Sequence, residues 1–215
     1  MIIVGAKGFA KEILEVLHQL NKIDHLAFYD DISTDLPDII YNKFNILRNK
    51  EDVFQFMLKN GNEYTLGIGN PIIRKKLNDK FIMWDGITTS TISATAEIGS
   101  YNVEIEKGCN VLPLSIIANG VKLGKGCIVY YNSMLTHDCQ IGDFVEISPG
   151  ATLLGACIVG DYSQIGANAT ILPKIIIGSN VIVAAGAVVT KNVPDNCMIA
   201  GVPAVIKKKL LKLEL

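Results

Sequence analysis

His137 is directly followed by Asp138, a pairing that could move a proton. An exposed imidazole titrates near neutrality and suits a general base, and an adjacent carboxylate can orient the ring or stabilise its charged form. The chain has only three histidines. His18 falls within a helical pattern and His25 in the turn after it, so both read as surface residues. Gly155 stands eighteen residues beyond His137. In the repeat described below, that spacing stacks the two residues one coil apart, about 5 Å from each other. A glycine there offers a bare backbone N–H, an oxyanion donor for a carbonyl under attack.

A second constellation opens the chain. Ile2-Ile3-Val4 is a buried-strand run leading into Gly5-Ala6-Lys7-Gly8, after which Ile13, Leu14, Val16, Leu17 and Leu20 recur at helical spacing. A strand, a glycine turn and a helix place free N–H groups at a helix N-terminus, which favours a phosphate or pyrophosphate. The turn falls short of the dinucleotide fingerprint GxGxxG, because Lys11 stands at the third glycine's place. A second strand, Leu26-Ala27-Phe28-Tyr29, ends in Asp30-Asp31. These carboxylates either accept hydrogen bonds from a ribose or base, or simply end a strand or cap a helix. Residues 51–59 read as a helix, 63–68 as a third strand and 71–78 as another helix after Gly69-Asn70. Together they predict a small Rossmann-like βαβ domain with a parallel sheet over residues 1–82.

The element that must position His137 is a repeat. From Ile105 to Val189, every sixth residue is Ile, Val or Leu, fifteen in all without a slip in phase. Four residues after each aliphatic comes a mostly small residue, among them Cys109, Ser115, Cys127, Ser133, Cys139, Ala151 and Cys157. A six-residue period is the mark of a parallel β-helix in which three hexads make one triangular coil. Glycines follow the aliphatic at Gly124, Gly142, Gly160, Gly166 and Gly178, where a tight corner is expected to need a permissive backbone. The pattern begins at Ile92 and Ile98, but Ile98 to Ile105 is seven residues, so one extra residue is expected to bulge within 99–104. This rod is expected over 83–204, with Trp84-Asp85-Gly86 at the joint. The tail 205–215, with Lys207, Lys208, Lys209 and Lys212 around Leu210 and Leu211, predicts a short amphipathic capping helix.

Composition narrows the function. Twenty Lys and Arg against 21 Asp and Glu leave a net charge of −1, which gives no basic face for nucleic acid. The longest apolar run, 181–189, is about half of a membrane span and lies on the hexad. The opening Met1-Ile2-Ile3-Val4-Gly5 has no basic n-region, so no signal peptide and a cytoplasmic address are expected. The cysteines show no CxxC spacing and read as small packing residues rather than metal ligands.

Three stretches carry a family resemblance. Thr136-His137-Asp138-Cys139-Gln140-Ile141-Gly142-Asp143-Phe144, Ser148-Pro149-Gly150-Ala151 and Ala200-Gly201-Val202-Pro203-Ala204 resemble the bacterial hexapeptide-repeat nucleotide-sugar acetyltransferases. That family includes UDP-4-amino-sugar N-acetyltransferases and sialic-acid O-acetyltransferases. The segments from Val4 to Glu12, from Tyr29 to Asp31 and from Gly67 to Lys76 are similar to its N-terminal domain, so the likeness runs through the whole chain in order.

The resemblance implies a left-handed β-helix, a homotrimer with active sites between subunits, acetyl-CoA as co-substrate and no metal. It implies His137 as base with Asp138 as partner, and Gly155 polarising the thioester. Ala167 and Ala185 map to the CoA arm, and Gly8, Asp30, Asp31, Gly69 and Asn70 to a nucleotide-sugar pocket. Two positions depart from the family: Glu146 stands where histidine is frequent, and Tyr130 where the amino-sugar enzymes often carry asparagine. They are placed on the acetyl-CoA and the substrate side respectively, and they leave the acceptor open. The expected activity is acetyl transfer to the amino group of a UDP-type 4-amino-deoxy sugar. The alternatives are O-acetyl transfer of the sialic-acid type and a non-catalytic trimeric scaffold that binds a nucleotide sugar. The γ-type carbonic anhydrase shares the rod but needs three zinc-binding histidines there, and this rod has one.

Overall fold

The computed structural model describes residues 1–214. The N-terminal unit is a six-stranded sheet with β1 (Ile2–Val4), β2 (Ala27–Tyr29), β3 (Ile39–Ile40), β4 (Phe44–Leu47), β5 (Glu63–Leu66) and β6 (Ile87–Thr88), and three helices, α1 (Gly8–Gln19), α2 (Lys50–Asn60) and α3 (Pro71–Ile82). The strand order is β3-β4-β2-β1-β5-β6, with every pair parallel except β3 with β4. β1 is central and wholly buried, which is why it reads as a continuous apolar run rather than an alternating one. α1 buries Ala10, Ile13, Leu14, Val16 and Leu17, the stripe its periodicity marks out. α3 runs four residues beyond its expected end. Its start is set by Asn70, whose side chain accepts from the N–H groups of Ile72 and Ile73, with Pro71 in the first turn. The sheet also continues past residue 82, since Ile87 pairs with Glu63.

The rest is a parallel β-helix. Two-residue strands stack on three faces. The first carries Asn110–Val111, Ile128–Val129, Glu146–Ile147 and Gln164–Ile165; the second Ile116–Ile117, Met134–Leu135 and Thr152–Leu153; the third Lys122–Leu123, Gln140–Ile141 and Ile158–Val159. Fourteen of the fifteen hexad aliphatics are buried; Ile105, near the open end, is half-buried. All five cysteines are free and buried. The extra residue lies where the spacing places it. Stacked partners are nineteen apart in sequence at Ile98 and Ile117 but eighteen apart at Ile105 and Leu123.

The corners differ from the expectation in one respect. From Asn102 to Gly186 every sixth residue has a left-handed backbone, and these include Gly120 (φ 77°), Asp138 (φ 62°) and Ala156 (φ 58°). None of the glycines at 124, 142, 160, 166 and 178 does so. Those five are glycine because the next coil leaves no room: a Cβ on Gly124 would lie 2.6 Å from the carbonyl carbon of Gly142.

The C-terminal capping helix is not formed. Cys197–Gly201 stacks parallel on Val181–Val183, and Ala204–Lys209 folds back on it antiparallel. The last coil leaves a row of unpaired N–H and C=O groups, and a hairpin satisfies them where a helix would not. Lys207, Lys208 and Lys209 then charge the outer edge against further pairing. Leu215, the last residue of the expected helix, lies outside the described residues. Among the described residues no helix is long and apolar enough to cross a membrane.

The sheet domain packs on the first face of the rod. Asn110, fully buried, donates to the Leu66 carbonyl at 2.7 Å and accepts from the Thr65 hydroxyl at 3.0 Å. Leu112 joins the core formed by Ile3, Ala6 and Phe28, and Phe144 joins that of Tyr29 and Phe81. Because steric room rather than backbone conformation selects glycine at 124, Gly124→Ala is expected to destabilise the rod by about 1–3 kcal/mol in urea unfolding. Leu135→Ala, which opens a cavity in the dry core, is expected to cost about 2–5 kcal/mol in the same measurement.

Candidate active site

His137 lies at the corner between the second and third faces, with 70% of its side chain exposed. Its Nδ1 is 2.9 Å from an Asp138 carboxylate oxygen. The left-handed backbone of Asp138 turns this carboxylate back onto the preceding ring. With Nδ1 so engaged, Nε2 is the nitrogen left to take a proton. That nitrogen faces Gly155: a Cβ built there would sit 2.5 Å from Nε2 and 2.6 Å from Cε1. The Gly155 carbonyl accepts from Lys174, while its N–H makes no backbone hydrogen bond among the described residues. A base, its orienting carboxylate and a free N–H thus converge on one exposed corner, as general-base attack on a carbonyl requires. Below them Gly120 supplies room that sequence reading did not register, since a Cβ there would collide with the Asp138 carboxylate. The signal was available, because Gly120 stands eighteen residues before Asp138.

The second constellation forms a crevice at the carboxyl ends of β1, β2 and β5, where the sheet order reverses and open α/β sheets bind ligands. It encloses about 200 Å³, bordered by Gly5, Lys7, Tyr29, Asp31, Ile68 and Ile73. Gly8 opens α1, and the helix has no side-chain cap at its N-terminus, so its first N–H groups remain free for an anion. α3 differs, because Asn70 caps it through Oδ1 and leaves only its amide nitrogen for a ligand. Asp30 is likewise engaged locally, accepting from Ile32 N, Ser33 N and Ser33 Oγ. Asp31 is held by Lys80, whose Nζ lies 2.6 Å from its Oδ2 and 2.6 Å from the Tyr29 hydroxyl. Burial alone would raise the Asp31 carboxyl; hydrogen bonds from Lys80 and Tyr29 outweigh it and hold the group below the usual carboxylate range. Arg48 shapes the adjacent loop by donating to the carbonyls of Asp30, Ser33, Leu36 and Pro37. Neither Lys80 nor Arg48 stood out in the sequence, because each acts on residues more than ten positions away.

Glu146 and Tyr130 lie where the two units meet. The Glu146 carboxylate accepts from Ser148 Oγ at 3.1 Å and Gln164 Nε2 at 3.2 Å, and a Cβ on Gly69 would lie 3.8 Å from its Oε2. The Tyr130 ring packs 5.2 Å from Phe9. Burial, with the charges of Glu12 and Glu146 nearby, pushes its hydroxyl above the ordinary range, so it stands as a neutral donor. The structure therefore brings Glu146 to Gly69 and Tyr130 to α1. It does not bring them to His137 of the same chain. Ala167 and Ala185 lie on the corner between the first and second faces, also away from His137. No group of three or more metal-ligating side chains occurs among the described residues.

Fold and site together define a hexapeptide-repeat transferase with a Rossmann-like first domain. Residues 1–81 match the PglD N-terminal domain, and residues 138–173 and 156–191 match the bacterial transferase hexapeptide of six repeats. Among solved structures, WeeI from Acinetobacter baumannii AYE is 30% identical with a TM-score of 0.85, covering 96% of this chain and 100% of that one. The acetyltransferase domain of PglB from Neisseria gonorrhoeae FA1090, in complex with acetyl coenzyme A, is 27% identical with a TM-score of 0.87, covering 96% and 98%. PerB from Caulobacter crescentus, in complex with CoA and GDP-perosamine, is 25% identical with a TM-score of 0.88, covering 96% of each chain. No curated protein sequence matches the chain. The chain belongs to the bacterial hexapeptide-repeat acetyltransferases that carry a PglD-type N-terminal domain.

Replacing Lys80 by Met removes the ammonium that keeps Asp31 ionised. The Asp31 carboxyl should then titrate at higher pH, as read by carboxyl-carbon NMR. The Lys80–Asp31 pair contributes stability above the carboxyl's unfolded value, and this is lost as pH falls through its lower folded value. Lys80→Met should therefore be less stable than the wild type at neutral pH, and the part of the acid limb that Asp31 protonation produces should flatten.

Proposed function

We propose that the protein transfers an acetyl group from acetyl-CoA to the amino group of a nucleotide-linked 4-amino-deoxy sugar, with a UDP sugar the first acceptor to test. The observation that carries this reading is the His137 Nε2 aimed at Gly155 on an open rod corner, in a chain whose first domain has a nucleotide-type crevice. The PglB domain bound to acetyl coenzyme A and PerB bound to CoA and GDP-perosamine support it.

The chemistry follows from the geometry. Asp138 fixes the ring with its proton on Nδ1, leaving Nε2 to take a proton from the acceptor amine as the amine nitrogen attacks the thioester carbonyl. A C–N bond forms, and charge develops on the carbonyl oxygen, where the Gly155 N–H stabilises it. The C–S bond then breaks, and the departing thiolate takes the proton from His137. Asp138 lowers the cost of the transient imidazolium.

The sheet domain, residues 1–82 with β6 added, holds the nucleotide sugar in this proposal. The diphosphate meets the α1 N-terminus at Gly8, and the nucleoside meets Asp30 and Asp31. The sugar reaches past Gly69 and Asn70 toward Tyr130, and Glu146 faces it from the acetyl-CoA side. The rod, residues 83–204, carries the acetyl donor, with Ala167 and Ala185 along the CoA arm. His137 and these alanines stand on different corners of one rod, so neighbouring rods of a homotrimer would complete each site. A cytoplasmic location accords with acetyl-CoA as the donor.

A thiol-release assay with acetyl-CoA, run against UDP- and GDP-linked 4-amino sugars and against sialic acids, tests the reading. Release with an amino sugar is expected; release only with a sialic acid would replace it by O-acetyl transfer, and silence from protein that binds neither CoA nor nucleotide sugar would refute it. His137→Ala should lower kcat by roughly 10²–10⁴-fold while the assembly keeps its size in light scattering. Gly155→Ala should lower kcat by about 10²-fold or more, because its methyl group displaces the imidazole that the glycine accommodates.

A further inference from the structure

Arg74, on α3, is fully buried and makes no ion pair among the described residues. Its guanidinium is satisfied by carbonyl oxygens alone. Nε donates to Gly126 O at 2.7 Å, and one terminal nitrogen donates to Phe144 O at 2.7 Å and Val145 O at 3.3 Å. The other donates to Ile68 O at 3.0 Å and to Gly69 O. One planar group therefore ties two consecutive rod coils to the loop that follows β5. A buried cation with no carboxylate in contact, Glu146 acting on it only through space, is a costly way to join two domains, and an apolar contact would hold them at least as firmly. What the guanidinium adds is direction, because its donors leave in fixed orientations within one plane.

The segments it joins are not arbitrary. Gly69 borders the crevice loop, Val145 immediately precedes Glu146, and the Gly69 and Glu146 positions face each other across the joint. We propose that Arg74 is the positioning residue that sets the separation between the sugar-binding loop and the rod coil bearing Glu146, and so the reach of the acceptor amine toward the acetyl group. The proposal rests on the acetyl-transfer reading above. Lysine cannot replace this function, since it offers a single point of charge where three segments need separate donors.

The test compares Arg74→Lys and Arg74→Met with Asn110→Ala, which removes another buried hydrogen bond at the same joint without touching the loop. CoA affinity, melting temperature, and kcat and KM for the nucleotide amino sugar are measured for each. A misplacement on the order of 1 Å can cost about 10²-fold in rate. Arg74→Lys is therefore expected to lose about 10–100-fold in kcat/KM for the sugar, with CoA affinity unchanged. Asn110→Ala is expected to melt earlier with near-native kinetics. Native kinetics in Arg74→Lys, whatever its melting temperature, would overturn the proposal. Should Arg74→Met not fold, Arg74→Lys decides alone. Should the wild type transfer acetyl to no sugar, the functional reading fails separately. Hydrogen exchange then decides: faster exchange at 67–70 and 144–147 in Arg74→Lys supports the positioning role, and unchanged exchange refutes it.

Discussion

Every residue of the candidate catalytic corner obeys one constraint, the stacking of six-residue sides into coils whose backbone hydrogen bonds all run between coils. A side that short closes only if one residue at each corner adopts the left-handed conformation, at a cost of about 1–2 kcal/mol wherever that residue carries a side chain. The chain accepts this at Leu114, Phe144, Ala156, Tyr162 and Lys174 as well as at glycines and asparagines. The continuous column of buried aliphatics and the parallel ladders offset that cost. The same constraint makes the corner chemically useful. It turns Asp138 back onto His137 and stacks Gly155 above the imidazole and Gly120 below the carboxylate. The base is aligned by backbone geometry that the rod would have in any case.

The sheet domain solves a different problem. Its crevice stands at the reversal of strand order, where two βα turns diverge and leave N–H groups and strand-end side chains facing an opening. Of its two helix starts, only that of α1 is left without a side-chain cap. The difference separates a helix end that can meet an anion from one that is satisfied by its own sequence. The crevice carboxylates are also more constrained than bare strand ends, since Asp30 organises its own loop and Asp31 is held by Lys80. A ligand there would meet preset acceptors, and less ordering entropy would be lost on binding.

Between the two units lies a joint that is polar where an apolar one would suffice for cohesion. Asn110 and Arg74 are both fully buried, but the side chain of Asn110 bonds only to β5, through Leu66 O and the Thr65 hydroxyl, whereas Arg74 binds backbone carbonyls of the loop after β5 and of two rod coils. Backbone partners suit a registration device, because their positions do not depend on rotamers. The proposed division of labour, with the sugar held by one unit and acetyl transfer carried out on the other, makes such registration necessary. The proposed sharing of each site between neighbouring rods extends that requirement to the assembly.

The sequence by itself determined the rod, the register of its coils, the extra residue within 99–104, the core of the sheet domain, and the juxtaposition of His137, Asp138 and Gly155. All of these follow from periods of six and eighteen or from local helical spacing, and a period survives folding because every coil repeats the same geometry. Only the tertiary structure decided the rest. It showed that the glycines after the aliphatics answer to a neighbouring coil and not to their own backbone angles. It also formed a hairpin at the C-terminus, because the open end of the ladder needed partners that local propensity does not register. Arg74 meets Gly126 and Phe144 of the rod, more than fifty positions away, and Lys80 meets Asp31, 49 positions away within the sheet domain, through contacts between elements that share no period. Such contacts depend on how two separately patterned surfaces dock, and that docking leaves no repeat in the chain to read.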